Sequence, residues 1–387
     1  MTGTTVRMET PASSEEAAGA LASASADGLG VRFQGGGTKL SWGRLVSDCD
    51  LVISTGELDR IVEHNVGDLT AVLEAGVPLA SAQEAFAEEG QMLALDPPEV
   101  DGATIGGVVA TGESGPLRHR FGAIRDLVIG IRAALPDGTV VQSGGKVIKN
   151  VAGYDLGKLF SGSFGALGMI VEVSLRLHPK PRETATAVLR AEDPGALARA
   201  AVALSHSQLE QLALDVAWED GAGAVMARFG GARARVQAEA ALAATRELAG
   251  LSPEIQQADE RLWSEQRARQ RSREGMVVRV SGLQTRLEDI VRSGARQGAS
   301  VAGRGGSGLC WLRFEGMDVE GAVAQVEELR RELRPLPCVV LDAPDEVREA
   351  LDPWGPMDPA LLALMERVKQ RFDPQRTCNP GIYGGSI

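Results

Sequence analysis

The stretch Phe33-Gln34-Gly35-Gly36-Gly37-Thr38-Lys39-Leu40 follows a short apolar run and decides how the rest of the chain is interpreted. Three consecutive glycines expose successive backbone N–H groups without Cβ obstruction, which is the surface that a diphosphate needs. Each charge-assisted hydrogen bond to such a group contributes about 1.5 to 3 kcal/mol. The alternative for this segment alone is a flexible turn, because glycine runs mark turns in general.

Two more glycine-rich stretches lie downstream. The first runs from Asp101-Gly102-Ala103-Thr104-Ile105-Gly106-Gly107 to Thr111-Gly112, and the second from Lys149-Asn150-Val151-Ala152-Gly153-Tyr154-Asp155 to residue 170. Residues 97–122 show little periodicity and few long apolar side chains, which is unusual for so long a segment of a compact domain. We therefore predict a long ordered loop that serves a ligand.

Two other nucleotide-binding patterns are incomplete. Residues 303–308 match G-x-G-x-x-G, but they lead into the strand-like residues 309–314, so no helix N-terminus is available for a phosphate. We predict a hairpin loop there. Gly144-Gly145-Lys146 is followed by Val147 and lacks the earlier glycine of a P-loop, which disfavours an ATPase.

Composition excludes several classes of protein. The chain has 387 residues, 44% of them hydrophobic and 24% charged, as expected for a globular protein of two domains. A net charge of -12 argues against nucleic acid as a partner. The four cysteines are scattered, so we expect neither zinc nor an iron–sulfur cluster. Without an apolar run of about 20 residues or a signal peptide, a cytoplasmic protein is expected, which reaches a membrane only through partners.

The N-terminal half, residues 1–182, mixes strands and helices. Ser13 and Glu16 have capping-box spacing before a helix that we extend to residue 26, and Pro78 opens a second helix. Strands are predicted at residues 31–33, 50–54, 60–65 and 69–75, a hairpin at 127–135 and 139–142, and a half-buried strand at 169–177.

After residue 182 the pattern becomes strand, helix, strand, strand, helix, and this order occurs twice. The predicted elements of the first unit are residues 184–189, 194–205, 212–218, 224–229 and 232–249, and those of the second are residues 276–280, 283–294, 299–302, 309–314 and 321–333. A short strand at 338–341 follows. We infer a second domain over residues 183–342, built from a duplicated split βαβ unit. Residues 343–387 supply a last helix at 359–372 and a tail.

The three glycine-rich segments, in this order and spacing, resemble the FAD domain of the vanillyl-alcohol oxidase type of FAD-linked oxidases, and residues 372–381 resemble the closing motif of that family. Within this family the chain is similar to the smaller flavin subunit of bacterial glycolate oxidases. The resemblance implies an α+β protein, with a two-subdomain FAD-binding domain, a ferredoxin-like duplicated βαββα cap domain and a C-terminal tail that returns to the FAD domain.

The resemblance also implies which residues contact FAD. Gly35 to Lys39 would hold the diphosphate, Thr104 to Gly107 would follow the ribityl chain and isoalloxazine, and Ile170 would meet the adenine end. Lys149, Asn150, Tyr154 and Asp155 would close the other side of the flavin, although a buried structural pair is an equal alternative for Tyr154 and Asp155. The complete set of implied cofactor contacts is Gly35, Gly36, Gly37, Thr38, Lys39, Asp101, Thr104, Ile105, Gly106, Gly107, Thr111, Gly112, Ser114, Lys149, Asn150, Tyr154, Gly168 and Ile170.

Covalent flavin attachment in this family uses a histidine or cysteine near the first two segments. Glycines and Thr104 stand there instead, so the FAD is expected to be non-covalent. His119 follows the second segment and either faces the flavin or is a solvated loop histidine, the reading that we favour.

Relatives that dehydrogenate 2-hydroxy acids place base and metal-binding histidines in the cap and the C-terminal region. This chain has only four histidines, none after residue 206. Removal of a hydroxyl proton needs a base tuned towards neutral pH, so we name no catalytic base and expect no metal. Arg304 and Arg313 either grip a substrate carboxylate or are paired surface residues, and we favour the second.

Three hypotheses follow. The first is an FAD subunit of a glycolate oxidase or dehydrogenase complex. It oxidises a short 2-hydroxy acid, or relays its electrons, beside a larger homologous flavin subunit and an iron–sulfur subunit. The second is a stand-alone D-2-hydroxy-acid dehydrogenase of the D-lactate type. The third is a flavin-binding assembly subunit without chemistry.

Overall fold

The computed structural model describes residues 6–45, 49–98, 101–146, 154–384 and 387. The elements of the N-terminal half are strands β1 (Arg7–Glu9), β2 (Val31–Gln34), β3 (Leu51–Ser54), β4 (Ile61–Asn65), β5 (Thr70–Glu74), β6 (Gln91–Met92), β7 (Val128–Ala134), β8 (Val140–Gly144), β9 (Met169–Arg176) and β10 (His178–Pro179), with helices α1 (Ser14–Ala26), α2 (Leu79–Glu88), α3 (Ile105–Thr111), α4 (Arg118–Phe121), α5 (Ile124–Leu127) and α6 (Leu156–Phe160).

The elements of the C-terminal half are strands β11 (Thr184–Ala191), β12 (Ala213–Glu219), β13 (Ala222–Gly230), β14 (Ser252–Gln256), β15 (Met276–Ser281), β16 (Ser300–Arg304), β17 (Leu309–Phe314) and β18 (Cys338–Asp342), with helices α7 (Pro194–Ser205), α8 (Ala234–Thr245), α9 (Glu260–Ala268), α10 (Leu287–Arg296), α11 (Val319–Glu332), α12 (Asp345–Ala350) and α13 (Pro359–Phe372).

The described N-terminal half contains two larger sheets and a two-stranded antiparallel sheet of β6 and β10. A small parallel sheet has the strand order β1-β3-β2, and an antiparallel sheet has the order β4-β5-β9-β7-β8. Helix α1 begins as the capping box predicts, since Ser13 Oγ accepts the N–H of Glu16 at 3.1 Å. Its buried face packs on Leu51 and Ile53 of β3 and on Met169 and Val171 of β9. Helix α1 therefore joins the two sheets into one body.

Strand β9 lies at the centre of the five-stranded sheet, between β5 and β7. The predicted half-buried character of this strand is wrong over most of its length, because its residues are buried on both faces. Met169 and Val171 face helix α1, whereas Ile170, Val173 and Leu175 face the core around helices α2 and α3. Alternation in the sequence does not reveal such double coverage.

The C-terminal half contains one antiparallel sheet of eight strands in the order β14-β11-β13-β12-β16-β17-β15-β18. The predicted duplication is confirmed: β11-α7-β12-β13-α8 and β15-α10-β16-β17-α11 are the two units, and β12 pairs with β16 where they meet. Residues 303–308 include the β16–β17 turn, as predicted. Strand β14 and helix α9, which separate the units, were not predicted.

The two faces of this eight-stranded sheet have different partners. Helices α7, α8, α10 and α11 cover one face, where most of the large core lies. The opposite face presents Val277, Trp311, Val339 and Leu341, which pack against Trp42 of the N-terminal half. This second interface places the cap sheet over the glycine-rich loops.

The chain after helix α13 returns to the N-terminal half. Val31 donates its N–H to the carbonyl oxygen of Thr377 at 2.7 Å, and Asn379 donates its N–H to the carbonyl oxygen of Val31 at 2.8 Å. The buried ammonium group of Lys369 donates to the carbonyl oxygens of Ala166 and Cys378 and to the carboxylate of Asp373. The tail is thus held against the start of β2, next to the first glycine loop.

Candidate functional site

A groove of about 910 Å³, partly open to solvent, runs across the N-terminal half beneath the cap sheet. Most of the predicted cofactor contacts are brought together in its wall: Gly35, Gly36, Gly37, Thr38, Lys39, Thr104, Gly106, Gly107, Thr111, Gly168 and Ile170. Residues that are 135 positions apart in the sequence therefore line a single surface.

The first two glycine-rich segments touch each other directly. A Cβ on Gly36 would lie 1.8 Å from the carbonyl oxygen of Gly102, and a Cβ on Gly35 would lie 2.2 Å from Thr104 Oγ1. Gly37, with a φ of +75°, has the left-handed conformation that glycine favours. The glycines thus line the groove and also allow close contact between its two loops.

The second segment is not a long loop throughout, contrary to our prediction. Residues 105–111 form helix α3, and Thr104 caps it by accepting the N–H of Gly107 at 3.3 Å. Gly106 lies against strand β5, because a Cβ there would lie 2.6 Å from the Cβ of Ala75. Two glycines near a helix start weaken the helical signal in the sequence, and contact with β5 overrides it.

Several predicted contacts lie elsewhere. The side chain of Ile105 is buried in the core around helices α2 and α3, and Asp101 is exposed outside the groove. Gly112 and Ser114 line a neighbouring cleft. Tyr154 is 91% exposed and Asp155 pairs with Lys158 at half-exposed positions, so neither is in the groove wall and they are not a buried pair. Lys149 and Asn150 lie outside the described residues.

Lys39 lies in the groove wall, but its ammonium group is already engaged. Nζ lies 2.7 Å from the carboxylate of Glu113 and donates to Thr38 Oγ1 at 2.7 Å. Both side chains of the Lys39–Glu113 pair are nearly buried, with 6% and 5% of their surface exposed. The predicted role of Lys39 as a cation for the diphosphate therefore competes with a structural ion pair.

The groove also contains residues that the sequence analysis did not assign. Phe164, Asn379 and Ile382 belong to its wall. Asn379 links its two sides, since Oδ1 accepts the N–H of Phe33 at 3.2 Å and Nδ2 donates to the carbonyl oxygen of Phe164. The tail motif at residues 378–381 was the available signal for Asn379, but nothing in the sequence indicated its position in the groove.

A cleft adjoins the groove where the cap sheet covers helix α4. It consists of two hollows, of about 330 and 700 Å³, which share Gly112, Arg118 and Arg279 in their walls. The smaller hollow shares Trp42 with the groove, and the larger shares Thr111 and Phe164 with it. We call these two hollows, defined by Gly112, Arg118 and Arg279, the arginine cleft.

The arginines that the sequence analysis considered for substrate are paired with acidic residues. Arg304 Nη1 lies 2.6 Å from the buried carboxylate of Asp215, and Nη2 donates to Gln270 and to the carbonyl oxygen of Ser114. Arg313 lies near Glu219 and Glu315. The favoured interpretation of paired residues is thus correct, although Arg304 is buried and connects the cap to the N-terminal half.

The four histidines lie away from these cavities. His119 is half-buried and packs against Gly306 in the cap hairpin, where burial lowers its pKa, and it does not line the groove. His64 bonds Gln91, His178 contacts Phe121, and His206 ends helix α7. Within the described part of the chain, no histidine is found in the walls of the groove or of the arginine cleft.

Asp96 supports the segment that carries Ser114 and Arg118. Its Oδ1 accepts the N–H of Leu117 at 2.9 Å, and a Cβ on Gly115 would lie 1.7 Å from its carbonyl oxygen. Burial raises the pKa of Asp96 to about 7, although Arg267 and the Leu117 N–H oppose the increase. The carboxyl group thus titrates near neutral pH.

We expect this titration to appear in the stability of the protein. The folded pKa exceeds the unfolded value of about 3.9, so the folded state retains a proton that the unfolded state has lost, and stability falls as pH rises from about 4 to about 7. The slope is at most about 1.4 kcal/mol per pH unit. Asp96→Asn, which keeps an acceptor for Leu117, should be stabilised relative to wild type at pH above this window. The free energy of unfolding is measured by urea unfolding at several pH values. If it depends on pH in the same way in wild type and in Asp96→Asn, the raised pKa of Asp96 is wrong.

Comparisons with known proteins support the interpretation of the groove as a site for FAD. Residues 7–144 match the FAD binding domain family, and residues 355–383 match the family of FAD linked oxidases, C-terminal domain. The chain resembles alkyldihydroxyacetonephosphate synthase in structure, with a TM-score of 0.68 at 15% identity over 96% of this chain and 76% of that one. This likeness confirms the predicted α+β fold of the vanillyl-alcohol oxidase type.

Curated relatives match less than half of the chain. Glycolate oxidase subunit GlcE of Escherichia coli is 39% identical over 39% of this chain and 43% of its own length. D-lactate dehydrogenase of Archaeoglobus fulgidus is 35% identical over 45% of this chain and 39% of its own. Glycolate oxidase subunit GlcD of Bacillus subtilis is 34% identical over 43% of this chain and 35% of its own. The matched segments thus span less than half the length of each relative.

The family matches and the fold agree with the glycine-lined groove in identifying FAD as the cofactor. Two segments of the chain thus resemble FAD binding domains and the C-terminal domain of FAD linked oxidases, and the whole chain has the fold of the vanillyl-alcohol oxidase type.

Proposed function

We propose that this chain is the FAD-binding subunit of a complex that oxidises a short 2-hydroxy acid, such as glycolate, to the 2-oxo acid. The observation that carries the proposal is the glycine-lined groove, which shares Thr111 and Phe164 with the wall of the arginine cleft. A cofactor in the groove and an anionic substrate in the cleft would be neighbours. The GlcE, GlcD and D-lactate dehydrogenase relatives support this class of substrate.

The residues that would hold FAD are those of the groove wall. The N–H groups of Gly35 to Thr38 would bind the diphosphate, and Gly106, Gly107, Thr111, Gly168 and Ile170 would line the remainder. When bound, FAD supplies a two-electron acceptor for the hydride of the hydroxy acid. No histidine or cysteine is among the described residues that line the groove, so we propose that FAD is non-covalent. Acid precipitation should then release all of the yellow colour.

The proposed complex contains a larger homologous flavin subunit and an iron–sulfur subunit. The scattered cysteines give this chain no iron–sulfur cluster of its own, so electrons from its flavin would pass to a partner. The proposed location is the cytoplasm, at the inner face of the membrane through these partners. No helix in the described residues has the length and apolar character needed to cross a bilayer.

The test is anaerobic addition of glycolate or D-lactate to the isolated chain and to the complex, with flavin absorbance as the readout. Loss of flavin absorbance in the complex, with electrons reaching the iron–sulfur partner, is the expected result. Rapid turnover by the isolated chain with a dye acceptor would instead favour the stand-alone dehydrogenase. If the folded chain is colourless and takes up no FAD, the proposal is wrong.

The third hypothesis is a flavin-binding assembly subunit without chemistry. Turnover of the complex distinguishes it from the proposed oxidation of a hydroxy acid. Glu113, Tyr383 and the four histidines offer no group that is placed as a ready base, since Glu113 is paired with Lys39 and the Tyr383 hydroxyl donates to the carbonyl oxygen of Gly162. If a variant that binds no FAD still supports full turnover of the complex, this chain has only an assembly role.

A further inference from the structure

Arg279 is a charged residue on a face of the cap sheet that is otherwise mostly apolar. Along strand β15, Met276, Val278 and Val280 point into the helix-covered core, whereas Val277 and Arg279 point to the N-terminal half. On that face, Arg279 is flanked by Trp311 of β17 and Val339 of β18. A guanidinium group in such surroundings carries a large desolvation cost unless an anion accompanies it.

Arg279 Nε is buried without a hydrogen-bond partner, and among the described residues no ion pair is formed by this side chain. The pKa of Arg279 is lowered by burial and by the nearby positive charge of Arg118. Arg118 and Arg279 both line the two hollows of the arginine cleft, so two cations share one cavity.

Arg118 approaches the cavity from the N-terminal half. Its Nη1 lies 3.4 Å from Ser114 Oγ, a weak contact, and its pKa is lowered by burial and by Arg304. The charged groups around the cleft are Arg125 and Glu113 in its walls, and Asp126 near Arg118. The carboxylate of Glu113 is matched by Lys39, so the cleft has a net positive charge.

We propose that Arg118 and Arg279 together bind the carboxylate of a small organic acid in the arginine cleft. This inference rests on the proposed function and deepens it, because it assigns the group that positions the hydroxy acid beside the FAD groove. Each guanidinium presents a planar set of N–H donors that matches a carboxylate, and the two sides of the cleft would close on one anion. Arg304, already bonded to Asp215, is excluded from this role.

The test uses the purified, FAD-loaded chain and oxalate, a carboxylate that cannot be oxidised by hydride loss. Trp42 and Trp311 line the smaller hollow, so their fluorescence, together with the flavin spectrum, reports occupancy. Wild type should bind oxalate, and Arg118→Gln and Arg279→Gln should each weaken binding about tenfold or more. Arg279→Lys keeps the charge but loses the planar donors, and should show a smaller loss.

The matched control is Arg313→Gln, which removes a guanidinium from the same sheet at a position paired with Glu219 and Glu315. It should bind oxalate as wild type does. Retained FAD content and an unchanged unfolding transition show that each variant is folded. If Arg279→Gln does not fold, Arg279→Lys takes its place in the binding test.

Two results would overturn the inference: no oxalate binding by wild type, or equal affinities in wild type and the arginine variants. Neither result depends on turnover. If hydroxy acids still reduce the flavin while the arginine variants are unaffected, the carboxylate site is wrong and the proposed function stands. If oxalate binds through the arginines but no hydroxy acid reduces the flavin in the complex, the site stands and the proposed function is wrong.

Discussion

Gly36→Ala is expected to abolish FAD binding. The added Cβ would lie 1.8 Å from the carbonyl oxygen of Gly102, whereas real Cβ contacts are essentially never closer than 3.0 Å. The obstacle is backbone, so the loop of residues 35–39 and the loop of residues 101–104 would have to separate by more than 1 Å. Residues 35–39 and Thr104 line the groove, so the donors proposed for the diphosphate would move away from the opposite loop.

We expect the flavin content of Gly36→Ala after gel filtration to fall below about a tenth of wild type, which corresponds to at least about 1.4 kcal/mol. The control is Gly67→Ala, in the turn between β4 and β5, where the nearest atom to a Cβ lies 3.7 Å away. Circular dichroism distinguishes loss of FAD from loss of fold. A yellow Gly36→Ala protein with normal FAD affinity would show that contact between the loops does not determine the groove.

The glycine-rich segments were predictable because their role is local. A run such as 35–37 exposes backbone whatever the remainder of the chain does, and the duplicated βαββα pattern depends on periodicities that each element carries in its own sequence. Helix α3 was missed for the opposite reason. Its glycines lower the intrinsic helical preference, and the helix is accommodated by the packing of Gly106 on Ala75, which directly follows strand β5.

Residues whose role depends on distant partners were not predictable. In the sequence, Arg279 is flanked by apolar residues, a pattern that is also typical of an exposed position in an edge strand. Only the three-dimensional structure shows that Arg279 lines a cavity together with Arg118. Helix α9 buries chiefly Trp263 and Gln266, and strand β14 is largely exposed, so neither has a periodic apolar pattern. Pairing of side chains across more than 70 positions leaves no trace in a single sequence.

The pair between Lys39 and Glu113 is such a distant contact, and breaking it is expected to have the second large effect. Lys39→Met removes the ammonium group that lies 2.7 Å from a nearly buried carboxylate. Loss of one partner of a buried pair costs about 3–5 kcal/mol, because a charge then remains in a poorly solvated site. Urea unfolding of the Lys39→Met protein should show this loss, whereas Lys158→Met, whose pair with Asp155 is half-exposed, should lose about 0–1 kcal/mol.

The double variant Lys39→Met with Glu113→Gln separates the two roles of the lysine. With both charges removed, most of the lost stability should return, because no carboxylate remains to be compensated. If Lys39 serves only the ion pair, the double variant should bind FAD as wild type does. If its ammonium group also neutralises the diphosphate, FAD affinity should stay about tenfold or more below wild type in the double variant. A double variant no more stable than Lys39→Met would contradict the buried pair itself.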